Sequence, residues 1–138
     1  LGEKNNLLEI SKAHLEKPIP LSVSDLMSIK EQLTWLNLAD TKITDDDLKV
    51  IAQFPNLSRL RLENNEVTDA GLQYLTVLSH LESINLYNNR ITDAGLILLE
   101  KLPALTRVYL WKTDVTEDGI SKLRANRPEV EIVSGQNN

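Results

Sequence analysis

Side chains that could carry out chemistry are few in this sequence, and the reactive types are missing or isolated. There is no cysteine, which excludes thiol chemistry, zinc sites of the thiolate type and covalent haem attachment. Neither of the two histidines, His14 and His80, lies near a plausible nucleophile in sequence, and we interpret both as residues of surface turns. The residue types therefore predict a protein that is not an enzyme and has no cofactor.

An acidic run, TDDD at residues 44–47, is the candidate for a metal site. A calcium loop of the EF-hand type needs spaced oxygen ligands and a glycine at its turn, and the run has neither. Negative charge is also favoured at the start of a helix, where the helix dipole is positive. We interpret the run as a solvated helix start, and no metal site is predicted.

Arginine, tryptophan and tyrosine are the residues whose spacing indicates recognition, because these types are enriched at the energetic centres of protein interfaces. Together with one asparagine, they recur two residues apart within a segment and at multiples of 24 residues between segments. The residues predicted to contact a partner are Trp35, Arg59, Arg61, Asn85, Tyr87, Arg107, Tyr109 and Trp111. The element that positions them must therefore be repeated.

A 24-residue repeat supplies that element. Leu33, Leu57, Leu81 and Leu105 each open a block, and apolar residues return at block positions 1, 4, 6, 11, 16, 19 and 22. Of these 28 positions 27 are apolar, and the exception is Asn126 in the last block. Each block cannot bury its apolar side alone, so we expect the stack of four to fold as one unit.

Two periods are nested in each block. The spacing LxxLxL predicts a strand with positions 4 and 6 on one face and positions 3, 5 and 7 on the other. The second half repeats its apolar residues three apart, which predicts a helix. The helices are predicted to begin after N-cap threonines, namely Thr44, Thr68, Thr92 and Thr116.

The flanking segments are predicted to close the stack, and the whole chain, 1–138, is predicted to be one domain. Residues 1–32 form an N-terminal cap, in which 5–11 add an edge strand, 17–22 connect, and 23–29 form a short helix capped by Ser24. The four repeats are 33–56, 57–80, 81–104 and 105–129, followed by a C-terminal strand and tail at 130–138.

One strand and one helix in a unit of this length, with this leucine pattern, resemble leucine-rich repeats. The variety is similar to bacterial repeats carrying TDAGL, which are like those of ribonuclease inhibitor but shorter. The resemblance implies an α/β solenoid with a parallel sheet on its concave side and helices on its convex side. Crossovers between parallel strands are almost always right-handed, so the solenoid is predicted to be right-handed.

The resemblance also assigns roles to the residues at the turns. The asparagines that satisfy backbone groups after each strand map onto Asn65 and Asn89, while Thr41 and Thr113 replace them in the outer blocks. We therefore expect that ladder to be weaker at both ends. Glycines near the helix starts are interpreted as points of close approach between units, and these are Gly71, Gly95 and Gly119.

Three classes of function remain open on these observations. The concave face could bind a protein partner, which four outward-pointing aromatic residues favour. It could instead bind carbohydrate, with Tyr87, Tyr109 and Trp111 stacking on sugar rings while Asn85 and Arg107 bond hydroxyl groups. The third alternative is a passive structural or spacer domain, in which the large side chains shield the sheet.

Charge and hydropathy limit the classes of partner that the sequence favours and its expected relation to a membrane. The net charge of −5 argues against nonspecific nucleic-acid binding, which depends on neutralising phosphates. No apolar run approaches the roughly 20 residues that a membrane-spanning helix needs, so direct membrane insertion by this segment is not expected. The segment 105–135 resembles the last repeat of leucine-rich segments in bacterial membrane-anchored proteins with c-type cytochrome domains, which implies a larger, exported parent protein.

Overall fold

The computed structural model describes residues 8–11 and 23–135, and these form a stack of parallel strands and helices. The strands are β1 (Leu8–Ser11), β2 (Leu33–Asn37), β3 (Arg59–Arg61), β4 (Ser83–Asn85), β5 (Arg107–Tyr109) and β6 (Glu131–Val133). The helices are a 3₁₀-helix (Val23–Ile29), α1 (Asp45–Ile51), α2 (Asp69–Leu75), α3 (Asp93–Leu99) and α4 (Glu117–Asn126). Neighbouring strands pair in parallel in chain order. The predicted α/β leucine-rich repeat solenoid is confirmed.

The register of the sheet places the same block position of successive repeats side by side. Position 3 runs from Trp35 to Arg59, Ser83 and Arg107, and β6 adds Glu131 to this row. Position 4, which points inward, pairs an aliphatic residue with an aliphatic residue on every neighbouring strand from β2 to β6. A side chain's place in the block therefore determines which face it occupies.

The apolar core follows the repeat pattern without exception. All 27 apolar positions of the four blocks are buried, and Asn126, the polar exception, is exposed. Leu26 from the 3₁₀-helix and Val130 beside β6 are buried at the two ends of the same cluster. Full burial of each such side chain contributes about 1.5–3 kcal/mol, so the stack has a continuous core despite its small size.

Two asparagine side chains form hydrogen bonds with backbone groups at the turns between strands and helices, as predicted. The Asn65 side chain accepts hydrogen bonds from the backbone N–H groups of Thr41 and Ile43 and donates to the carbonyl of Leu38 in the preceding repeat. One repeat later, the buried Asn89 side chain accepts a hydrogen bond from the N–H of Val67 and donates to the carbonyl of Leu62. In the outer blocks the ladder is weaker, because the hydroxyls of Thr41 and Thr113 each donate one bond, to a carbonyl of their own block.

A second ladder joins the helix starts and was not predicted. The carboxylate of Asp45 accepts hydrogen bonds from the N–H and hydroxyl of Thr68 in the next repeat, at 2.8 and 2.6 Å. Asp69 binds Thr92 in the same way, and Asp93 binds Thr116. The sequence assigned these aspartates to the helix dipole alone. Each also links two repeats.

This ladder explains the glycines near the helix starts. A Cβ atom added at Gly71, Gly95 or Gly119 would overlap the aspartate carboxylate of the preceding repeat. In the first block the glycine position holds Asp47, whose carboxylate accepts bonds from the N–H and hydroxyl of the N-cap Thr44. The interpretation of the glycines as points of close approach is confirmed, and the atoms they approach are carboxylate oxygens.

The N-terminal edge strand predicted within residues 5–11 is confirmed by β1, which pairs in parallel with β2. The short helix predicted at 23–29 is the 3₁₀-helix, with Leu26 buried and Ile29 packed against the core. The connector at 17–22, His14 and the end of the tail lie outside the described residues. In the described part of the chain, no helix has the length and apolar character that crossing a membrane requires.

Candidate interaction surface on the concave face of the sheet

A groove of about 710 Å³ lies over the outward face of the sheet. It brings together six of the eight residues that the sequence predicted to contact a partner, namely Trp35, Arg59, Arg61, Asn85, Arg107 and Tyr109. Its remaining lining residues are Leu60, Glu82, Ser83, Thr106, Glu129 and Glu131. The groove is therefore rich in charged and aromatic side chains, and both signs of charge are present.

One end of the groove is cationic and aromatic. Arg59 and Trp35 are paired across β2 and β3, and the guanidinium carbon of Arg59 lies 5.1 Å from the ring centre of Trp35. That distance is within the range of a cation–π interaction. Arg59 pairs with no carboxylate of residues 26–135. No ion pair within that part of the chain neutralises its charge.

A buried carboxylate organises the centre of the groove. Glu63 is only 7% exposed, and its Oε1 accepts bonds from Nε of Arg61 at 2.8 Å and from Nδ2 of Asn85 at 2.6 Å. The Nη2 atom of Arg61 lies 2.8 Å from the same oxygen. Glu63 thus fixes the orientation of one predicted contact residue on β3 and another on β4.

At the other end of the groove the cations are already paired. Arg107 contacts Oε2 of Glu131 through Nε and Nη2, at 3.0 and 2.9 Å. Hydrogen bonding to Tyr109 and then to Glu131 raises the pKa of Arg107, so the guanidinium stays charged. Glu129 forms an ion pair with Arg127, and that hydrogen bond lowers the pKa of Glu129. This end therefore presents carboxylates to solvent.

The other two predicted residues, Tyr87 and Trp111, do not line the groove. Their backbones lie next to each other, since the N–H of Asn88 bonds the carbonyl of Trp111 at 3.0 Å. The residue after each is left-handed, with φ of 55° at Asn88 and 53° at Lys112, so the chain turns away there. The ammonium group of Lys112 lies 5.6 Å from the ring centre of Tyr87.

Trp111 packs on the C-terminal end of the solenoid. A Cβ atom added at Gly135, where φ is 72°, would overlap the indole ring, so the ring lies directly on that backbone. The indole is nevertheless 44% exposed. Trp111 therefore covers the last turn as well as facing solvent, and the role in partner binding assigned to it from the sequence stays a prediction.

Sequence reasoning missed Glu63, Glu131 and Arg127. The Arg127 guanidinium donates to the carbonyls of Glu100 and Leu102, where α3 ends. The sequence could have revealed Glu131, because it occupies position 3 of the partial block that follows the four repeats, on β6. Glu63 shares position 7 with Tyr87 and Trp111 and was read as outward, but only the structure reveals that Arg61 and Asn85 enclose it.

The acidic TDDD run is engaged in the scaffold. In the TDDD run each aspartate has its own partner: Asp45 binds Thr68, Asp47 binds Thr44, and Asp46 forms a salt bridge with Lys49. Within residues 26–135 no group of three or more histidine, aspartate or glutamate side chains could hold a metal ion. His80 is exposed in a turn, as predicted.

The helix side of the solenoid also exposes large apolar side chains, but they are scattered over α2, its C-terminal turn and α3. These are Tyr74, Val77 and Ile97. The ammonium group of Lys49 lies 5.4 Å from the ring centre of Tyr74. The helix side has no arrangement of aromatic and cationic residues comparable to that of the concave groove within the described part of the chain.

Comparisons with known proteins identify the repeats. Residues 33–52, 55–75 and 77–99 match the family described as Leucine Rich repeat. The three segments lie in the first three of the predicted repeats. These three segments therefore match leucine-rich repeats, as the leucine spacing indicated. No curated protein matches the sequence.

Two solved structures are similar to this chain. An internalin from Listeria monocytogenes is similar with a TM-score of 0.65 and 23% identity over 83% of this chain. A leucine-rich repeat protein of Leptospira interrogans has a TM-score of 0.47 and 18% identity over 75% of this chain. The match spans 32% of the length of each of those proteins. At this identity, the internalin similarity supports the fold alone.

Proposed function

We propose that this leucine-rich repeat solenoid is a non-catalytic module that binds a protein partner on the concave face of its sheet. The observation that carries the proposal is the groove, in which Trp35, Arg59 and Tyr109 stand on three strands of one rigid sheet. Aromatic and arginine side chains on a rigid surface lose little conformational entropy on binding, and they commonly dominate interface energies. Leucine-rich repeat domains in general mediate protein–protein interaction.

We also propose, from sequence resemblance, that the module is part of a larger exported bacterial protein. The expected result is that a tagged parent protein fractionates with the cell envelope, with the repeats accessible to protease outside the cytoplasmic membrane. Recovery of the parent protein in the cytoplasmic fraction would contradict the assignment.

The binding face can be tested by comparing paired substitutions on the two sides of the solenoid. Immobilised chain carrying Trp35→Ala with Tyr109→Ala should lose the protein retained by the unsubstituted chain. Chain carrying Gln73→Ala with Lys122→Ala, on the helix side, should retain it. If the helix-side pair loses the partner and the groove pair keeps it, the working surface is convex. Binding to a glycan array but to no protein would favour the carbohydrate alternative.

A further inference from the structure

The end of the groove formed by β2 and β3 presents hydrogen-bond donors that no side chain of residues 26–135 uses. Arg59 donates to no side chain of residues 26–135 and stands over Trp35. Arg61 uses Nε and Nη2 to contact Glu63, which leaves the two N–H groups of Nη1 without a partner among the same residues. Both arginines are exposed and project from the same face of β3. Two guanidinium groups with unused donors therefore project from the same face of β3 into the groove.

The carboxylate beneath them does not act as an acceptor for a partner. Oε1 of Glu63 already accepts from Arg61 and Asn85. Oε2 is buried and has no hydrogen-bond partner in the described part of the chain. Glu63 therefore fixes the position of the Arg61 side chain, while its own carboxylate stays buried. An Arg61 side chain held in this way loses less conformational entropy when it binds a ligand.

The opposite end of the groove has the reverse polarity. Arg107 on β5 is paired with Glu131 on β6, and Glu129 exposes a further carboxylate beside them. An anionic group would be repelled from this end and attracted to β3. The groove therefore distinguishes between its two ends by charge, and an acidic group has one favoured position.

We infer that the partner places an aspartate or glutamate side chain from an acidic peptide segment on Arg59 and Arg61, beside the ring of Trp35. Guanidinium groups match a carboxylate geometrically, because two parallel N–H groups can bind its two oxygens. This inference rests on the proposed function, since it specifies the chemistry of the partner at the same surface. The acidic segment is the occupant of the donor-rich part of the groove.

The inference can be tested with a peptide probe and the 138-residue chain. The probe has four consecutive glutamates between glycine–serine ends, with both termini blocked and an uncharged fluorophore attached. Anisotropy measured at low ionic strength should report binding that weakens as salt is added. The peptide with four glutamines should not bind. In ¹⁵N spectra the glutamate peptide should shift the Nε–H signals of Arg59 and Arg61 and the indole signal of Trp35.

Two variants with different effects on net charge make the test specific. Arg59→Gln should weaken peptide binding by about tenfold or more, as expected for loss of a charge-assisted bond. Arg124→Gln, the matched control on α4, changes the net charge equally and should alter binding by less than about twofold. Arg61→Ala combined with Glu63→Gln leaves the net charge unchanged and buries no unpaired charge. It should also weaken binding by about tenfold.

The outcomes separate this inference from the proposed function. If the natural partner is lost from the Trp35 and Tyr109 variant but the glutamate peptide does not bind, the acidic-segment inference fails and the proposed function stands. Equal weakening by Arg59→Gln and Arg124→Gln would reduce the interaction to a general charge effect and overturn the inference. Inorganic phosphate that shifts the same signals while the peptide does not would overturn the carboxylate assignment.

Discussion

The two faces of the sheet differ in how closely they repeat. Inward-facing position 4 holds Leu36, Leu60, Ile84, Val108 and Ile132, all aliphatic and all next to one another in register. Outward-facing position 3 holds Trp35, Arg59, Ser83, Arg107 and Glu131 on the same backbone. Backbone geometry cannot cause the difference, because each strand contributes to both rows. Packing against the neighbouring repeats restricts the inward row, whereas no neighbouring repeat covers the outward one.

Under the proposed function, stability and recognition lie on opposite faces of the same strands. Substitutions inside should cost unfolding free energy, and substitutions outside should cost binding with little effect on stability. The side-chain ladders at the turns are polar, but they link neighbouring repeats. Substitutions in them should therefore have effects on stability between those of the two faces. Four substitutions, ordered by their expected effect on unfolding free energy and compared with milder or control changes, test this division.

The largest effect is expected inside the core. Leu86 is fully buried, and Leu86→Ala should lower the unfolding free energy by about 2–5 kcal/mol, as for other large-to-small core changes. Urea unfolding followed by circular dichroism measures the change. Val77→Ala, at a site that is 68% exposed, is the control and should change stability by less than about 0.5 kcal/mol. A loss below about 1 kcal/mol would mean that Leu86 does not contribute to the core as its burial predicts.

The next effect concerns the asparagine ladder. Asn89→Ala should cost about 2–3 kcal/mol, because it leaves buried backbone groups of two repeats without partners. Thr113→Ala removes a single hydroxyl bond to the carbonyl of Leu110 and should cost about 1 kcal/mol or less. The same urea experiment compares them. Equal losses at the two sites would contradict the conclusion that the ladder weakens towards the C-terminal end.

At the C-terminal end, Trp111→Ala should lower the unfolding free energy by about 1–2 kcal/mol, because the indole covers Gly135. The sequence analysis placed Trp111 only on the outward face, among the residues predicted to contact a partner. Amide exchange near residues 130–135 should accelerate in the variant. An unchanged exchange rate there would restore the interpretation of Trp111 as a residue that only faces a partner.

The aspartate ladder should give a smaller effect that depends on pH. Hydrogen bonds from the hydroxyl and then the backbone N–H of Thr116 lower the pKa of Asp93 in the folded state. The carboxylate therefore stabilises the fold above its unfolded pKa of about 3.9. That contribution is lost as the pH falls through the lower, folded pKa.

Asp93→Asn should cost about 1 kcal/mol at pH 7, because the exposed site is partly screened by solvent. The difference from the unsubstituted chain should shrink as the pH falls below the unfolded pKa. Asp114→Asn is the control, since its exposed carboxylate has no hydrogen bond among the described residues. Acid melts at a series of pH values provide the measurement. A difference that stays constant down to pH 2 would exclude the ladder as its source.

The fold could be predicted from the sequence because the pattern that encodes it repeats. Four copies of LxxLxL and four threonine caps agree with one another, so each local interpretation was supported by three others. The helix-start aspartates were recognised as acidic residues in the first turn. Their bonds to Thr68, Thr92 and Thr116 were not predicted, because they join residues 23 positions apart through side chains.

The candidate site could be predicted only in part. Alternation predicted which side chains project outward, and six of the eight residues named do line the groove. Alternation could not predict where each strand ends, and the left-handed residues Asn88 and Lys112 separate Tyr87 and Trp111 from the groove. Nor could spacing reveal that Arg107 is paired with Glu131 while Arg59 pairs with no carboxylate of residues 26–135. The charge available to a ligand therefore depends on contacts between repeats.

The central claim, that the outward face binds while the inward face folds, can be tested most directly with one variant and two readouts. Trp35→Thr, Arg59→Thr and Tyr109→Thr together replace outward groove residues with a polar residue that favours strands. Urea unfolding should give a loss of no more than about 1.5 kcal/mol, while capture of the partner should be abolished. A variant that unfolds, or one that folds and still captures the partner, would contradict the claim.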